Sequence, residues 1–436
     1  MRRCPGSAQP PAPLGASARL VAREVKTGVF RGLGVPEEPS LRHRSSRRFD
    51  AVLASHGLTG RVVELPESTR TAAEAARGVG CEVRQIVKSL VFRGATSGKP
   101  VLILASGANR VDEAWMAHYV GETLARADPE YVRSVAGFAI GGVPPAGHAA
   151  TIPTYIDYDL LELPEIWAAA GHPHAVCRLT SRELLALTRG RPVSVIPLTP
   201  ERPDPAPWVT FDCYGTLVDW RAGLLQQIER AVSPISRTER ERLFHAYLGE
   251  EMRLESAAYR SYREVMTEAM LEVARSDGFE LSRSQAAEAP ESIPHWPAFP
   301  DAADAVDALR PQGYRVGILS NIDTDLLERT LENLGVRPDL VVTAQEVGSY
   351  KPAWNHWVRF LKRSGAAPGD VWHVSGSYEY DLEPAAALGF RTVYVARYGP
   401  LPAGKKVGIS LHGLADLADH LRSDRSAPKS LSHPHE

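Results

Sequence analysis

The stretch Trp208-Val209-Thr210-Phe211-Asp212-Cys213-Tyr214-Gly215-Thr216-Leu217 decides the fold of this chain. Its opening residues are apolar or β-branched and read as a short buried strand. The strand ends on the carboxylate of Asp212 and the chain then turns sharply. Open α/β sheets keep their chemistry at such strand tips, so Asp212 is the first candidate for a reacting group.

Working outward, Tyr314 to Leu319 is a second strand-like run, ending on Ser320-Asn321. Leu340-Val341-Val342 is a third and leads to Ser349-Tyr350-Lys351-Pro352, whose proline can open a helix. Val371 to Val374 ends on Ser375-Gly376-Ser377 and reaches Asp381 at the start of a helix closed by Gly389, and Arg391 to Val395 supplies one more strand. Strands alternating with helical segments predict a parallel, doubly wound sheet whose carboxyl edge gathers these polar tips in one crevice. Singly, Ser320, Asn321 and Asp381 read equally well as helix caps and Lys351 as a solvated charge. Their order and spacing point to a shared site.

That order, over about residues 208 to 398, resembles the four motifs of the haloacid dehalogenase-like (HAD) hydrolases. The implied fold is α/β: a Rossmann-like core with a helical cap at about 221–297. Tyr214 stands where phosphatases of the superfamily carry a second Asp as acid and base. A tyrosine is a poor proton donor at neutral pH, and a halide leaving group needs none, so the pattern resembles the L-2-haloacid dehalogenase branch. The resemblance implies that Asp212 attacks the carbon bearing the halogen, Thr216 orients that carboxylate and Lys351 keeps it ionised. It implies further that Tyr214, Ser320, Asn321, Ser375 and Ser377 bind substrate, and that water near Asp381 hydrolyses the aspartyl ester, with no cofactor. Arg253, Arg260 and Arg263, beside Tyr259 and Tyr262, are the cap-side candidates for stabilising departing halide.

One departure matters. The run Ser375-Gly376-Ser377-Tyr378-Glu379-Tyr380-Asp381 has the spacing of the magnesium phosphatase loop, with Gly376 in place of its first Asp. A magnesium site would have Asp212, a backbone carbonyl, Asp381 and Glu379 but lack one expected ligand. A magnesium-dependent phosphatase is therefore the alternative and the poorer reading.

The chain has 436 residues, too many for one ordinary core and enough for two domains with tails. With 44% hydrophobic and 23% charged residues it has the composition of a soluble globular protein, and no apolar run approaches the roughly 20 residues of a membrane span. A formal net charge of -2 gives no general argument for nucleic acid. Cys4, Cys81, Cys177 and Cys213 are scattered without metal-type spacing, which suggests a reducing cytoplasm. Residues 1–47 read as a disordered basic extension, 197–207 as a stiff Pro-rich linker and 423–436 as a mobile tail. This places one domain at 48–196 and the other at 208–422.

In the N-terminal half, Thr71-Ala72-Ala73-Glu74 reads as a capped helix start, and Gln85 to Phe92 and Pro100 to Ala105 as two strands. Lys88 inside an apolar strand marks either a snorkelling edge residue or an anchor for phosphate or carbonyl. With Arg110-Val111-Asp112, the loop Gly141-Gly142-Val143-Pro144-Pro145-Ala146-Gly147 and Gly171-His172-Pro173, the segment resembles the YbaK/ProX family of aminoacyl-tRNA deacylases. The resemblance implies a mixed α+β editing domain acting on the 3' end of an aminoacyl-tRNA. Lys88 would contact the terminal adenosine or its phosphate. Gly141, Gly142, Pro144 and Gly147 would present backbone N–H groups to the ester, and Gly171 and His172 would shape the pocket. Where the family commonly has a basic stretch, this chain runs Glu113-Ala114-Trp115-Met116. The whole reads as a deacylase fused to a dehalogenase-like hydrolase acting on a small 2-haloacid. A different class of answer is a tRNA-binding or regulatory protein with one inactive domain, the extension serving as an RNA-binding arm.

Overall fold

The computed structural model describes residues 43–198 and 206–426. The basic extension up to residue 42, most of the Pro-rich stretch and the end of the tail lie outside the described residues.

The N-terminal half is built on eight strands: β1 (Val62–Glu64), β2 (Ile86–Gly94), β3 (Pro100–Ser106), β4 (Leu124–Arg126), β5 (Thr154–Asp157), β6 (Ile166–Ala169), β7 (Ala175–Leu179) and β8 (Arg191–Val193). They form a mixed sheet in the order β1-β7-β6-β2-β3-β5-β8, with β4 paired to β2. Antiparallel β2 and β3 lie at its centre, Lys88 facing Ala105, while β6 runs parallel to β2 with Val87 opposite Ala168. Thr71 caps its helix as expected, accepting from the Glu74 N–H while Glu74 returns a bond to the Thr71 N–H. The first helix, Arg44–Ser55, starts ahead of the expected domain boundary, because Ser46, Phe49 and Leu53 share one buried face.

The C-terminal half carries β9 (Trp208–Phe211), β10 (Arg315–Ser320), β11 (Leu340–Thr343), β12 (Val371–Ser375), β13 (Arg391–Val395) and β14 (Ile409–Leu411). All pair in parallel, in the order β11-β10-β9-β12-β13-β14. Strand β9 is buried on both faces, which is why it reads as an unbroken apolar run. The chain leaves β9 towards β10 on one side and returns to β12 on the other, so the topological switch point falls beside β9. Phe211 is level with Ile318 and Val374, which brings Asp212, Ser320 and Ser375 to the same edge. Helices Trp220–Val232, Arg237–Glu255 and Tyr262–Ser276 form the insert over that edge. Ser236 and Ser261 open the latter two with reciprocal bonds to Glu239 and Glu264.

The two halves share a core. Trp357 and Phe360, both fully buried on the helix Asn355–Ser364, belong to one apolar cluster with Phe49, Leu53, Tyr158 and Leu161 of the N-terminal half. Around it Arg182 donates to the Pro352 carbonyl at 2.6 Å, Asn355 to the Glu162 carbonyl at 3.2 Å, and Lys362 pairs with Glu162 at 2.8 Å and with Asp159. Truncating Trp357 to Ala is expected to cost about 3–5 kcal/mol, read as a lowered urea midpoint. Because the cluster is shared, amide exchange at Tyr158–Leu161 will rise with it. Unchanged exchange there would contradict a common core.

Candidate active site

Asp212 sits one residue beyond β9, its N–H donating to the Val374 carbonyl at 3.1 Å, which fixes the turn. Its Oδ2 accepts from the Thr216 hydroxyl at 2.9 Å, and Thr216 Oγ1 in turn accepts from the Gly376 N–H at 3.0 Å. Its Oδ1 accepts from Lys351 Nζ at 2.9 Å. Lys351 Nζ also reaches Asp381 Oδ1 at 2.6 Å, so one ammonium lies between two buried carboxylates. Burial alone would lower the Lys351 pKa, but Asp212 and Asp381 outweigh it and hold the ammonium charged. Burial pushes Asp212 up to about 6 despite Lys351, with Asp381 adding to the rise. At Asp381 the balance is reversed: burial opposes ionisation, but Lys351 and His373 hold the carboxyl down at about 2.

His373 stands behind this pair, its Nε2 3.0 Å from Asp381 Oδ1 and its Nδ1 2.9 Å from Thr210 Oγ1. Burial lowers its pKa, and a neutral ring satisfies both contacts by donating from Nε2 and accepting at Nδ1. Neither His373 nor Thr210 was singled out in the sequence; the signal was a polar residue in each of two otherwise apolar strands.

The remaining candidates divide. Tyr214 lines the cavity, but its hydroxyl is 2.8 Å from Thr330 Oγ1 and burial pushes its phenol well above the ordinary value. It supplies a wall and no proton. Asn321 Oδ1 accepts from the Lys351 N–H at 2.7 Å and its Nδ2 donates to the Lys351 carbonyl at 3.2 Å. Its amide therefore positions the lysine. Ser320 is fully buried, lines the cavity, and its hydroxyl has no hydrogen-bond partner among the described residues. Ser377 lines the cavity too and accepts from the Tyr380 N–H at 3.4 Å, whereas Ser375 lies behind it and accepts from the Ser377 N–H at 3.0 Å.

The cavity beside Asp212 has a volume of about 390 Å³. None of the arginines expected to meet a halide lines it. Arg253 pairs with Glu250 at 2.6 Å, Arg263 pairs with Glu291 at 2.6 Å and Asp325 at 2.5 Å, and Arg260 faces a separate groove with Arg253. Tyr259 packs on Tyr350 at 5.4 Å between ring centres; of the five only Tyr262 reaches the cavity. The insert presents Glu251 and Glu255 there instead.

Magnesium, which the phosphatase alternative requires, does not fit this donor set. Asp212 and Asp381 both turn onto Lys351, and a Cβ at Gly376 would stand 2.4 Å from the Gly215 carbonyl oxygen, so a carboxylate has no room there. Among the described residues no three His, Cys, Asp or Glu side chains come together for a cation.

In the N-terminal half, Lys88 is half-buried and donates to the Gly107 carbonyl at 3.2 Å and to the Asn109 carbonyl. Burial lowers its pKa while Asp157 opposes the shift. Asn109, absent from the sequence reading, donates to Asp157 at 2.8 Å and to Asp159 at 2.7 Å, and burial, then Asp159, pushes Asp157 up to about 6. Gly142 packs so closely on His172 that a Cβ would lie 2.9 Å from its backbone, which unites the glycine loop with Gly171-His172. The His172 ring stacks on His43 at 3.5 Å. Part of the expected row of free N–H groups is taken, since Gly142 N–H donates to the Ala139 carbonyl at 3.0 Å. Gly147 and Pro144 offer carbonyls, accepting from Arg48 at 2.9 Å and from His148 at 2.8 Å. Lys88 lies on β2 next to β6, which ends at Ala169 two residues before Gly171, and its own partners are the Gly107 and Asn109 carbonyls.

An aspartate at a parallel-sheet switch point, oriented by a threonine and a lysine under a helical insert, defines a hydrolase of the strand-tip carboxylate type. Residues 66–187 match the aminoacyl-tRNA editing domain family and residues 207–389 the haloacid dehalogenase-like hydrolase family. These matches support a YbaK/ProX-type editing domain followed by a HAD hydrolase domain that resembles the L-2-haloacid dehalogenases. It is 28% identical over 198 residues to (S)-2-haloacid dehalogenase 4A of Burkholderia cepacia, covering 44% of this chain and 84% of that one. It is 32% identical over 123 residues to the uncharacterized Bacillus subtilis protein YwhH, covering 28% and 78%. It is also 33% identical over 96 residues to the ribulose-1,5-bisphosphate 5-phosphatase of Halopiger xanaduensis, covering 22% and 40%.

The lysine bridge makes a stability prediction. Lys351→Met leaves two buried carboxylates facing each other, at a cost of about 3–5 kcal/mol. Without the ammonium both folded-state pKa values rise above their unfolded values, so the variant recovers stability as pH falls and loses it as pH rises. The gap to wild type in urea midpoint is therefore expected to be larger at pH 8 than at pH 5; a gap independent of pH would contradict the bridge.

Proposed function

We propose that the C-terminal half is a hydrolytic dehalogenase working through an ester on Asp212, and that the N-terminal half deacylates aminoacyl-tRNA. The observation that carries the first reading is the buried Asp212–Lys351–Asp381 bridge with Thr216 holding the remaining Asp212 oxygen. A carboxylate held at both oxygens, its ammonium partner in place, is prepared to attack carbon.

In the proposed cycle an Asp212 oxygen forms a bond to the carbon bearing the halogen and the carbon–halogen bond breaks, its electron pair leaving with the halide. Ser320, with its unused buried hydroxyl, donates to the substrate carboxylate. Asp381, kept ionised by Lys351 and His373, takes up the proton of the water that attacks the aspartyl carbonyl. The product alcohol leaves and Asp212 is restored. The net reaction is R–X plus water to R–OH, a proton and halide. A halide leaves without protonation, in keeping with a Tyr214 hydroxyl engaged by Thr330. The phosphatase reading draws on the shared identity with a phosphatase over 96 residues, but it needs a proton donor at Tyr214 and a cation site that Gly376 does not leave room for.

For the N-terminal half, the editing-domain match supports an aminoacyl ester substrate at the tRNA 3' end. Lys88 would exchange its backbone carbonyl partners for the terminal phosphate or ribose.

Chloride release from L-2-chloropropionate in EDTA is expected from wild type and not from Asp212→Asn. Phosphate release from phosphomonoesters dependent on added magnesium, with no chloride release, would overturn the reading. Turnover should rise with pH and level off above about 6, since Asp212 attacks only when ionised and burial raises its pKa to that value. Lys88→Ala is expected to lower aminoacyl-tRNA hydrolysis about ten- to a hundredfold, the worth of one or two charge-assisted hydrogen bonds, while chloride release persists. Loss of both activities together would contradict separate sites.

A further inference from the structure

The charge of the catalytic cavity does not suit a simple anion. Five carboxyl groups line it, Asp212, Glu251, Glu255, Glu379 and Asp381, against the single base Lys351. The ammonium of Lys351 is already shared between Asp212 at 2.9 Å and Asp381 at 2.6 Å. Glu251 and Glu255 stand four residues apart on the helix Arg237–Glu255 and so share a face. Glu251 accepts from the hydroxyls of Tyr262 at 2.6 Å and Tyr247 at 3.2 Å, which pins its carboxyl in place. Glu255 has neither a hydrogen bond nor an ion pair among the described residues. Burial, then Glu251, pushes its carboxyl well above the usual range, against an opposing pull from Lys351. Two further observations point to a ligand: Ser320, whose fully buried hydroxyl has no partner among the described residues, lines the same cavity, and Trp220, Trp296, Tyr378, Tyr380 and Tyr398 supply aromatic walls. Such faces attract cations.

We propose that this cavity takes a substrate bearing a protonated amine, held by Glu251 and Glu255 while its electrophilic carbon meets Asp212. The inference rests on the reading of Asp212 as nucleophile and narrows the substrate to a small ammonium-bearing halide, such as a halogenated amino acid. For 3-chloro-L-alanine, Asp212 forms an ester bond to Cβ as the carbon–chlorine bond breaks and chloride departs with the electron pair. Water then cleaves the ester at the aspartyl carbonyl, giving serine, a proton and free Asp212. No oxidant, reductant or co-reactant is needed.

The test has two arms. Calorimetric titration of the full-length protein with n-butylammonium and with butyrate measures charge preference without turnover. At least a tenfold tighter Kd for the ammonium is expected, with a proton released as Glu255 ionises, and Glu255→Gln should remove most of that preference. Equal or tighter binding of butyrate, or a preference unaltered in Glu255→Gln that keeps the wild-type melting temperature, overturns the proposal. Should Glu255→Gln unfold, Glu251→Gln and the wild-type preference itself still decide it. The second arm compares chloride release from 3-chloro-L-alanine and L-2-chloropropionate by wild type and Asp212→Asn. A higher kcat/KM for the amino acid supports the proposal; a higher value for chloropropionate overturns it and leaves the dehalogenase reading standing. Absence of chloride from both substrates removes the dehalogenase reading, while the binding arm still decides the charge of the ligand.

Discussion

The ammonium of Lys351, held between the buried carboxylates of Asp212 and Asp381, is the interaction on which the rest of the C-terminal half depends. Neither carboxylate would remain ionised at this depth without it, since removing such a charge from water costs several kcal/mol even after relaxation. The fold is arranged to deliver the three groups to one point. Parallel β9 and β12 bring Asp212 and the Asp381 turn to the same edge, while Asn321, at the end of β10, grips the Lys351 backbone on both sides. The N-terminal half takes part as well: Arg182 binds the Pro352 carbonyl, and Lys362 ties the following helix to Asp159 and Glu162. The loop bearing Lys351 is thus braced from outside its own domain. The same Asp159 binds Asn109, whose carbonyl receives Lys88, so polar contacts run from Lys88 to Lys362, on the helix that follows the Lys351 loop.

Around this bridge the insert supplies much of the cavity wall. Arg253 and Arg263 of the cap are spent on ion pairs at its surface, and surface pairs contribute little to stability. The acids Glu251 and Glu255 face the cavity, so the chemistry proposed at Asp212 would be separate from the electrostatics proposed to select its substrate. In the proposed cycle the core supplies the nucleophile, and the insert supplies a field of opposite sign to the one that a lone carboxylate substrate would need. An amino acid carries both an anionic and a cationic end. The editing half belongs to a family that handles aminoacyl esters, and an amino-acid-like substrate for the C-terminal half would give the two domains a common chemical vocabulary.

The parts of the fold and site that were legible in the sequence are those where local pattern and tertiary role coincide. Asp212, Ser320, Ser375 and Asp381 end or follow apolar strands, so their place on the sheet edge follows from strand period and connection rules. Thr71 and Glu74 declare their helix by spacing alone. What escaped depends on orientation. Charged residues on the long helix Arg237–Glu255 read alike from sequence, and only the packing of Leu243, Phe244 and Tyr247 decides that Glu251 and Glu255 turn inward while Arg253 turns out. Asn321 reads as a substrate ligand because its type fits; it lines the cavity, but its bonds to the Lys351 backbone could not be read from sequence. His373 reads as a strand residue because its partners, Thr210 and Asp381, come from elsewhere in the chain. The shared core of Trp357 with Phe49 and Leu53 was hidden by the Pro-rich stretch between the halves, which suggested separation.

The central claim is that Asp212 itself becomes covalently bonded to substrate. The most direct measurement is a single turnover in H₂¹⁸O with protein in excess over a chlorinated substrate, followed by mass spectrometry of the Asp212 peptide and of the alcohol. Attack by Asp212 and hydrolysis of the ester at its carbonyl predict ¹⁸O in the Asp212 peptide and none in the alcohol. Label in the alcohol with an unlabelled Asp212 peptide would mean that water attacks carbon directly, and would contradict the account.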